Sequence, residues 1–460
     1  MSIDRHKAIH RKRRIIFNDD GGVIFDPNAH SEQAFLDSRL GHILDTQVDS
    51  IWWSFIVGAD HFLYDTRVDD IAGKEPVPGM PKADLKYWGA MWNTIKTMMD
   101  RGTDPLKFVT DWGHGVGREV FASFRMNMIQ DSWRPTFATR FKREHPEYCL
   151  GERGMGTNSD NPDERLCWSA LDWEHQAVRD QRLAIIDDIC SRYEVDGMEL
   201  DFWRWPILFK PTMYKQPVEQ KHINMMTDFM RRTRERVTEI EAERGRPIVI
   251  APRVFDTIEI NLRMGLDVET WLEEGLIDVL AVGGHYTYYT IPVSDWAKLA
   301  HKYDVPLYPC MYRSTGVEFD RAVSSHFFNS GADGIYTFNL RLPGHLEPIK
   351  EVGDPDLIAR RDKHYVMNPS YVGGCLGNGC APGLLPVRLG EGAPTPATLI
   401  IGDDVQKAAA DDALALLKLR LSLTNFDPRQ DELTVKLNGL ELKHPQPVAP
   451  ENPWAGRQKG

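Results

Sequence analysis

Long apolar runs are missing from this chain. No stretch approaches the ~18 consecutive apolar residues of a membrane-spanning helix, so no membrane partner is expected. After the basic run Arg11-Lys12-Arg13-Arg14, only Ile15-Ile16-Phe17 precede Asn18-Asp19-Asp20. That is far short of the apolar core of a secretory leader. The basic run reads as a solvated lead-in to a first strand, and a cytoplasmic location is expected. Cysteine is scarce as well: six residues, at 149, 167, 190, 310, 375 and 380, in a chain of 460. They are too scattered for a disulfide framework, so free thiols are expected. Cys375 and Cys380 lie close together, but without a second close pair they complete no zinc site. Neither a metal nor a cofactor is expected. Positive charge is in deficit, with 55 Lys and Arg against 67 Asp and Glu for a net charge of −12, which argues against a nucleic-acid binder.

What is present is ordinary globular composition, 42% hydrophobic and 27% charged, which excludes collagen-like and disordered classes. The length exceeds one typical core and predicts a large domain with a smaller one. Trp is plentiful, 13 residues, and favours a ligand that stacks on aromatic rings.

Short β-rich runs alternate with longer helical stretches along the chain. The candidate strands are 14–18, 50–57, 119–126, 197–202, 248–254, 279–283, 307–311 and 334–338, and the clearest amphipathic helices are 174–192 and 218–244. Eight strand–helix repeats predict a (β/α)8 barrel over residues 12–355, an α/β fold. The loop after the first strand, Asp19-Asp20-Gly21-Gly22, is acidic and unlike the phosphate-binding turn of a doubly wound sheet. The glycine string from Gly113 to Gly117 precedes a strand and reads as a helix-to-strand turn, not a nucleotide loop. Beyond the barrel, alternating polar and apolar residues and the Asn438-Gly439 turn signal predict a small antiparallel, sandwich-like β domain over residues 365–446. Residues 447–460 are expected to form a mobile tail.

The chemistry concentrates in Asp196-Gly197-Met198-Glu199-Leu200-Asp201-Phe202-Trp203-Arg204-Trp205-Pro206. Successive strand residues face opposite sides, so Met198, Leu200 and Phe202 form an outward apolar face and Glu199 and Asp201 point into the barrel. Inward charge is tolerable mainly near the open mouth, where barrel enzymes keep their sites. By the same parity Arg125 and Asn127 join from the third strand and Arg253 from the fifth. His285 and Tyr286 follow the sixth and Asn339 the eighth. Asp19 or Asp20 joins from the first, where the parity is ambiguous. Trp52, Trp53, Trp203 and Trp205 lie at or near strand ends, and an indole suits the C–H face of a sugar ring. Plain neutralisation of Glu199 and Asp201 by Arg125 and Arg253, with no chemistry, is the structural alternative.

The strand-four motif, together with Phe124-Arg125-Met126-Asn127, resembles the bacterial glycoside-hydrolase-like barrel proteins labelled hypothetical family-10-like glycosyl hydrolases. The resemblance covers residues 12–350. It implies a (β/α)8 fold and a glycan-acting hydrolase with the strand-four acids in its active site. Trp203 stands where the more distant chitinase-type barrels carry their proton-donating Glu, so that mechanism is not implied.

The expected function is therefore a glycosidase with a carbohydrate substrate and a carboxylate pair. Asp201 is nucleophile or base, and Glu199 holds Asp201 in place or binds hydroxyls. Asp19, Asp20 or Asp256 is the acid partner, and Arg125, Asn127, Arg253, His285, Asn339, Trp53, Trp203 and Tyr286 bind substrate. Two residues along one strand span about 6.6 Å, between the separations of retaining and inverting enzymes. A metal-assisted sugar lyase or isomerase is one alternative, with His285 or Tyr286 acting on a carbon acid and Asp19, Asp20 and Asp201 around a divalent ion. A glycan-binding barrel without turnover is the other.

Overall fold

A computed structural model describes residues 3–21, 31–38, 40–77, 79–155, 160, 162–284, 288–312, 316–340, 342–367, 375–390, 392–427 and 429–443. Eight parallel strands close into a barrel: β1 (Ile15–Asp19), β2 (Val48–Ser54), β3 (Glu119–Arg125), β4 (Gly197–Asp201), β5 (Val249–Val254), β6 (Leu280–Val282), β7 (Leu307–Tyr312) and β8 (Ile335–Phe338). Each strand pairs with its neighbours in sequence and β8 closes on β1. This is the expected (β/α)8 barrel, and each strand overlaps one read from the sequence. The strands are buried on both faces, which is why they are rich in Ile, Val, Trp and Phe rather than cleanly alternating.

Helices form the outer layer. Helix α1 (Ile3–Ile9) precedes β1. Helix α2 (Pro105–Gly115) starts on Asp104, whose side chain accepts from Lys107 N, with Pro at its first position. It gives way to β3 through Val116 and Gly117, the latter at φ 73°, so the expected turn is the end of the glycine string, while Gly113 and Gly115 belong to the helix. Helix α3 (Gln176–Arg192) buries Arg179, Gln181, Arg182 and Asp188 beside Val178, Ile185, Ile186 and Ile189; its inner face is half polar, not the apolar stripe anticipated. Helix α4 (Gln220–Arg244) buries Ile223, Met226, Met230, Val237 and Ile240 at helical spacing, and Gly245 at φ 71° ends it in the left-handed conformation.

The N-terminal end of the barrel is sealed. Arg13 is buried, donating from Nε and Nη2 to the two Glu119 oxygens at 2.7 Å each, and Ser50 Oγ donates to Glu119 at 2.7 Å. The same guanidinium caps the carbonyls of Ala8 and Ile9 at the end of α1. Arg13 is thus a floor residue, not part of a solvated lead-in: the strand's start carries it under the barrel, where Glu119 offsets its desolvation. One layer higher, Trp52 stacks on Phe121 with ring centroids 4.9 Å apart and planes 3° apart, and Tyr336 meets Trp52 edge-on. A Cβ at Gly197 would lie 2.6 Å from the Phe121 ring, so only glycine admits this stack.

The chain divides into two compact units, Met1–Asp403 and Asp404–Gly460. Within the second, the described residues include a helix, Val405–Ala410, and a two-stranded hairpin, Lys436–Leu437 with Leu440–Glu441. Asn438 at φ 50° and Gly439 at φ 84° make its turn, the left-handed pair that tight hairpins require. Among the described residues no helix is long and apolar enough to cross a membrane.

Candidate active site

Strand register brings the inward residues to common levels. Ser123 lies beside Glu199, and Arg125 beside Asp201. Asp201 in turn lies beside Arg253. Contacts across the barrel confirm the inward parity of β4. Glu199 Oε2 accepts from Asn18 Nδ2 at 2.9 Å, and its Oε1 accepts from the Tyr336 hydroxyl at 2.6 Å. Asn18 also donates to Ser123 Oγ at 3.2 Å, but its own Oδ1 is buried with no partner among the described residues. Burial, reinforced by the nearby Asp201 carboxylate, pushes the Glu199 carboxyl up to about 7.

One level nearer the mouth, Asp201 forms an ion pair with Arg253 through a single contact, Nη1 to Oδ2 at 3.3 Å. Its other oxygen accepts from Arg204 N at 3.0 Å. Arg253 is fully enclosed. Burial opposes its charge, but Asp201 together with Tyr336, Cys310 and Glu199 around it outweighs burial and holds the guanidinium more firmly protonated than usual. It donates to the Gly283 carbonyl at 3.2 Å and lies over the rings of Phe338, Tyr336 and Trp203 at 4.1, 5.1 and 5.6 Å. Arg125 forms an ion pair with Asp20. Burial, and after it the like charge of Arg204, lower the Arg125 pKa to about 10. Cys310 faces the same interior, its thiol pushed up to about 12 by burial. That environment disfavours a thiolate nucleophile.

Of the residues expected at the site, Asp20, Arg125, Glu199, Asp201 and Arg253 come together. Asn18 fixes the inward parity of β1 and therefore places Asp20, not Asp19, on that side. Asp19 Oδ1 accepts from Gly21 N at 2.8 Å in the strand-end turn. Trp53 has the opposite parity from Trp52 and packs edge-on against Phe35 outside the barrel, at 6.3 Å. Asn127 lies beyond the end of β3, where its amide clamps loop backbone. It donates to the carbonyls of Leu171 and Ile207 and accepts from Leu171 N. Trp203 is completely buried, with its ring against Gly284 and its Nε1 donating to Asp256 Oδ1 at 3.2 Å. Asp256 also accepts from Ala381 N at 2.9 Å, so it ties a wall of the site to the 375–381 segment. Asn339 follows β8 in the left-handed conformation, φ 57°. His285 and Tyr286 lie outside the described residues.

Three neighbours of this cluster escaped the sequence reading, Asn18, Tyr336 and Trp133, whereas Ser123 shares the inward face of β3 with Arg125 as parity predicts. Trp133, after β3, is 47% exposed. Its ring centroid lies 5.7 Å from that of Trp205, over which Arg204 sits at 4.5 Å. A chain of contacts therefore runs from Asp201 through the Arg204 backbone to an exposed indole. The motif's Asp196 sits at the opposite end of β4, pairing with His114 at 2.8 Å and accepting from Val120 N at 2.8 Å. It braces the bottoms of β3 and β4.

No family model matches the chain, and no curated protein matches it. Among solved structures it is similar to alpha-L-fucosidase isoenzyme 2 from Paenibacillus thiaminolyticus, with 12% identity and a TM-score of 0.44 over 75% of this chain and 48% of that one. It therefore spans about half the length of the fucosidase. It is similar to the PgaB (BpsB) glycoside hydrolase domain from Bordetella bronchiseptica, with 13% identity and a TM-score of 0.43 over 76% of this chain and 98% of that one. It is also similar to an alpha-amylase from Geobacillus thermoleovorans, with 10% identity and a TM-score of 0.42 over 78% and 80%.

Proposed function

We propose that the protein is a glycoside hydrolase acting at the C-terminal mouth of its barrel. The observation that carries this reading is the convergence there of three carboxylates and two arginines, Asp20, Glu199, Asp201, Arg125 and Arg253, contributed by three strands and the residue that follows a fourth. Asp201, paired with Arg253, is the nucleophile or base. Asp20, whose side chain keeps 38% of its exposure, is the second carboxylate and handles the proton at the leaving group. Glu199 acts through others: held by Asn18 and Tyr336, it fixes the height of Asp201 on β4 and keeps a proton close to neutral pH. The unpartnered Asn18 Oδ1 suits a sugar hydroxyl as donor. Trp133 offers an exposed face for a sugar ring. The resemblance to family-10-like glycosyl hydrolases accords with this reading. The lyase or isomerase alternative loses support because Asp19 turns away from Asp20 and Asp201, so its metal trio is not assembled.

Complete burial of Glu199 and Asp201 favours one other reading, a glycan-binding barrel without turnover. A screen of aryl-glycosides and glycan pools, run with and without chelator, separates them. Chelator-insensitive release of aglycone or reducing sugar supports hydrolysis. Saturable oligosaccharide binding with no product supports the binding barrel.

A further inference from the structure

At the end of the barrel opposite the site, three side chains with metal-ligating atoms converge. His6 and His10 lie four residues apart on one side of α1 and the turn that extends it, with His10 N donating to His6 O at 3.0 Å. Their imidazoles are 4.4 Å apart between centroids. Both present Nε2 to the same oxygen: Asp304 Oδ2 lies 3.3 Å from His6 and 3.2 Å from His10. Asp304 comes from the connection between helix α5 (Val293–Lys302) and β7. The three ligand atoms lie within 4.8 Å of one another.

We propose that His6, His10 and Asp304 form a zinc site that fastens the N-terminal helix to the barrel. Arms of about 2.0–2.1 Å around tetrahedral zinc put ligand atoms about 3.3 Å apart, the separation both imidazole–carboxylate pairs already have. Two histidines at i and i+4 are a recurrent zinc-binding pair because helical periodicity brings both rings to one side. The donor set of two imidazoles and one carboxylate suits a borderline cation such as zinc better than calcium or magnesium, which take oxygen ligands. Water completes the fourth position.

The helix is held in place independently of any ion. Arg5 donates from Nε and Nη2 to Asp278 Oδ1 at 3.1 and 2.7 Å, while Arg13 caps the carbonyls of Ala8 and Ile9. The two rings are therefore presented on an anchored element, and an ion would meet an organised site.

The test is zinc titration of the full, chelator-stripped chain against a competing indicator, with cobalt substitution as a spectroscopic readout and thermal unfolding alongside. The expected result is one zinc per chain, a visible cobalt spectrum of the tetrahedral type, and a rise in melting temperature on adding zinc. His10→Ala should weaken binding about a hundredfold. Asp304→Asn, which tolerates the same left-handed backbone (φ 60°), should weaken it at least tenfold and alter the cobalt bands. Both variants keep the Arg5 and Arg13 anchors, so metal-free melting should stay within a few degrees of the native chain. No saturable zinc uptake by the native chain overturns the proposal. So does uptake that both variants retain at native affinity, which would place the metal on cysteines or elsewhere.

Discussion

Two buried arginine–carboxylate pairs occupy opposite ends of this barrel, and they are built differently. At the floor, Arg13 grips Glu119 with two parallel bonds of 2.7 Å, and Ser50 adds a third donor to the same carboxylate. At the mouth, Arg253 reaches Asp201 by one contact of 3.3 Å, while aromatic rings, the Cys310 sulfur and a backbone carbonyl supply its remaining company. The floor pair has the fork-to-fork geometry that makes a buried ion pair tolerable. The mouth pair leaves acceptor capacity on Asp201, and nearby Asn18 Oδ1 is wholly unused. A residue pair that only neutralises buried charge should resemble the floor. On the proposed reading, that spare capacity at the mouth is what a ligand would use.

The sharpest way to break this comparison is to neutralise each acid in turn. Asp201→Asn should lower kcat/KM by at least about a thousandfold and shift melting by only a few degrees, because Asn can still accept from Arg204 N and the ring cluster still encloses Arg253. Paired turnover and thermal-unfolding measurements decide it; near-native turnover would make Asp201 a structural acid like Glu119. Glu119→Ala should do the reverse. It strands Arg13 in the interior and should cost about 3–5 kcal/mol of stability, with turnover per folded molecule unchanged, as read from denaturant unfolding beside active-site titration.

A subtler contrast lies in pH. The Glu199 carboxyl sits at about 7 in the folded protein, against 4.5 for a free glutamate. The folded state therefore binds more proton than the unfolded state between those values, and stability falls as pH rises through that window. Below about 4.5 the contribution is fully present, and above about 7 it is gone. Glu199→Gln should flatten this part of the melting-temperature profile, and a variant that kept the native slope would locate the titration elsewhere. Trp133→Ala should raise KM about tenfold with kcat and melting little changed, the pattern of a surface platform rather than a core residue. Limited proteolysis addresses the independent β unit proposed for residues 365–446. Cleavage near 365–375 that releases a folded fragment supports that unit, whereas release only from near 403 moves its boundary to the division at Asp403.

The barrel was legible because its signals are periodic. Strand and helix periods repeat eight times, and inward parity carried Glu199, Asp201, Arg125 and Arg253 to one place. Parity fails at strand ends. Pairing of β1 with β2 shifts register between Ile15 and Ile16, and the choice between Asp19 and Asp20 needed the cross-barrel contact of Asn18. Asn127 has the right parity but lies past the last β3 residue, where the chain has left the strand. Trp53 illustrates the opposite failure. Alternation within Ser50, Trp52 and Ser54 already turns Trp53 outward, but richness in aromatics drew attention to the residue type rather than its side. Tyr336 was hidden because Ile335-Tyr336-Thr337-Phe338 reads as a plain buried strand, and one phenol oxygen leaves no mark on a hydrophobic pattern. The pair His6 and His10 is visible as a spacing, yet Asp304 joins it only through the fold.

The stacked rings of Trp52 and Phe121, closed from below by Arg13 and Glu119, plug the barrel, so its interior offers no passage from one end to the other. On the proposed reading, traffic through the site is two-way over a single threshold, and a cleaved product retreats along the path by which the next substrate advances. Under the proposed reaction, release and binding compete for the same space, so turnover at high substrate concentration is governed by the loops around that threshold as much as by the acids beneath it. On the same reading, a glycan held there would project its remainder outward past Trp133, the exposed ring beside that threshold.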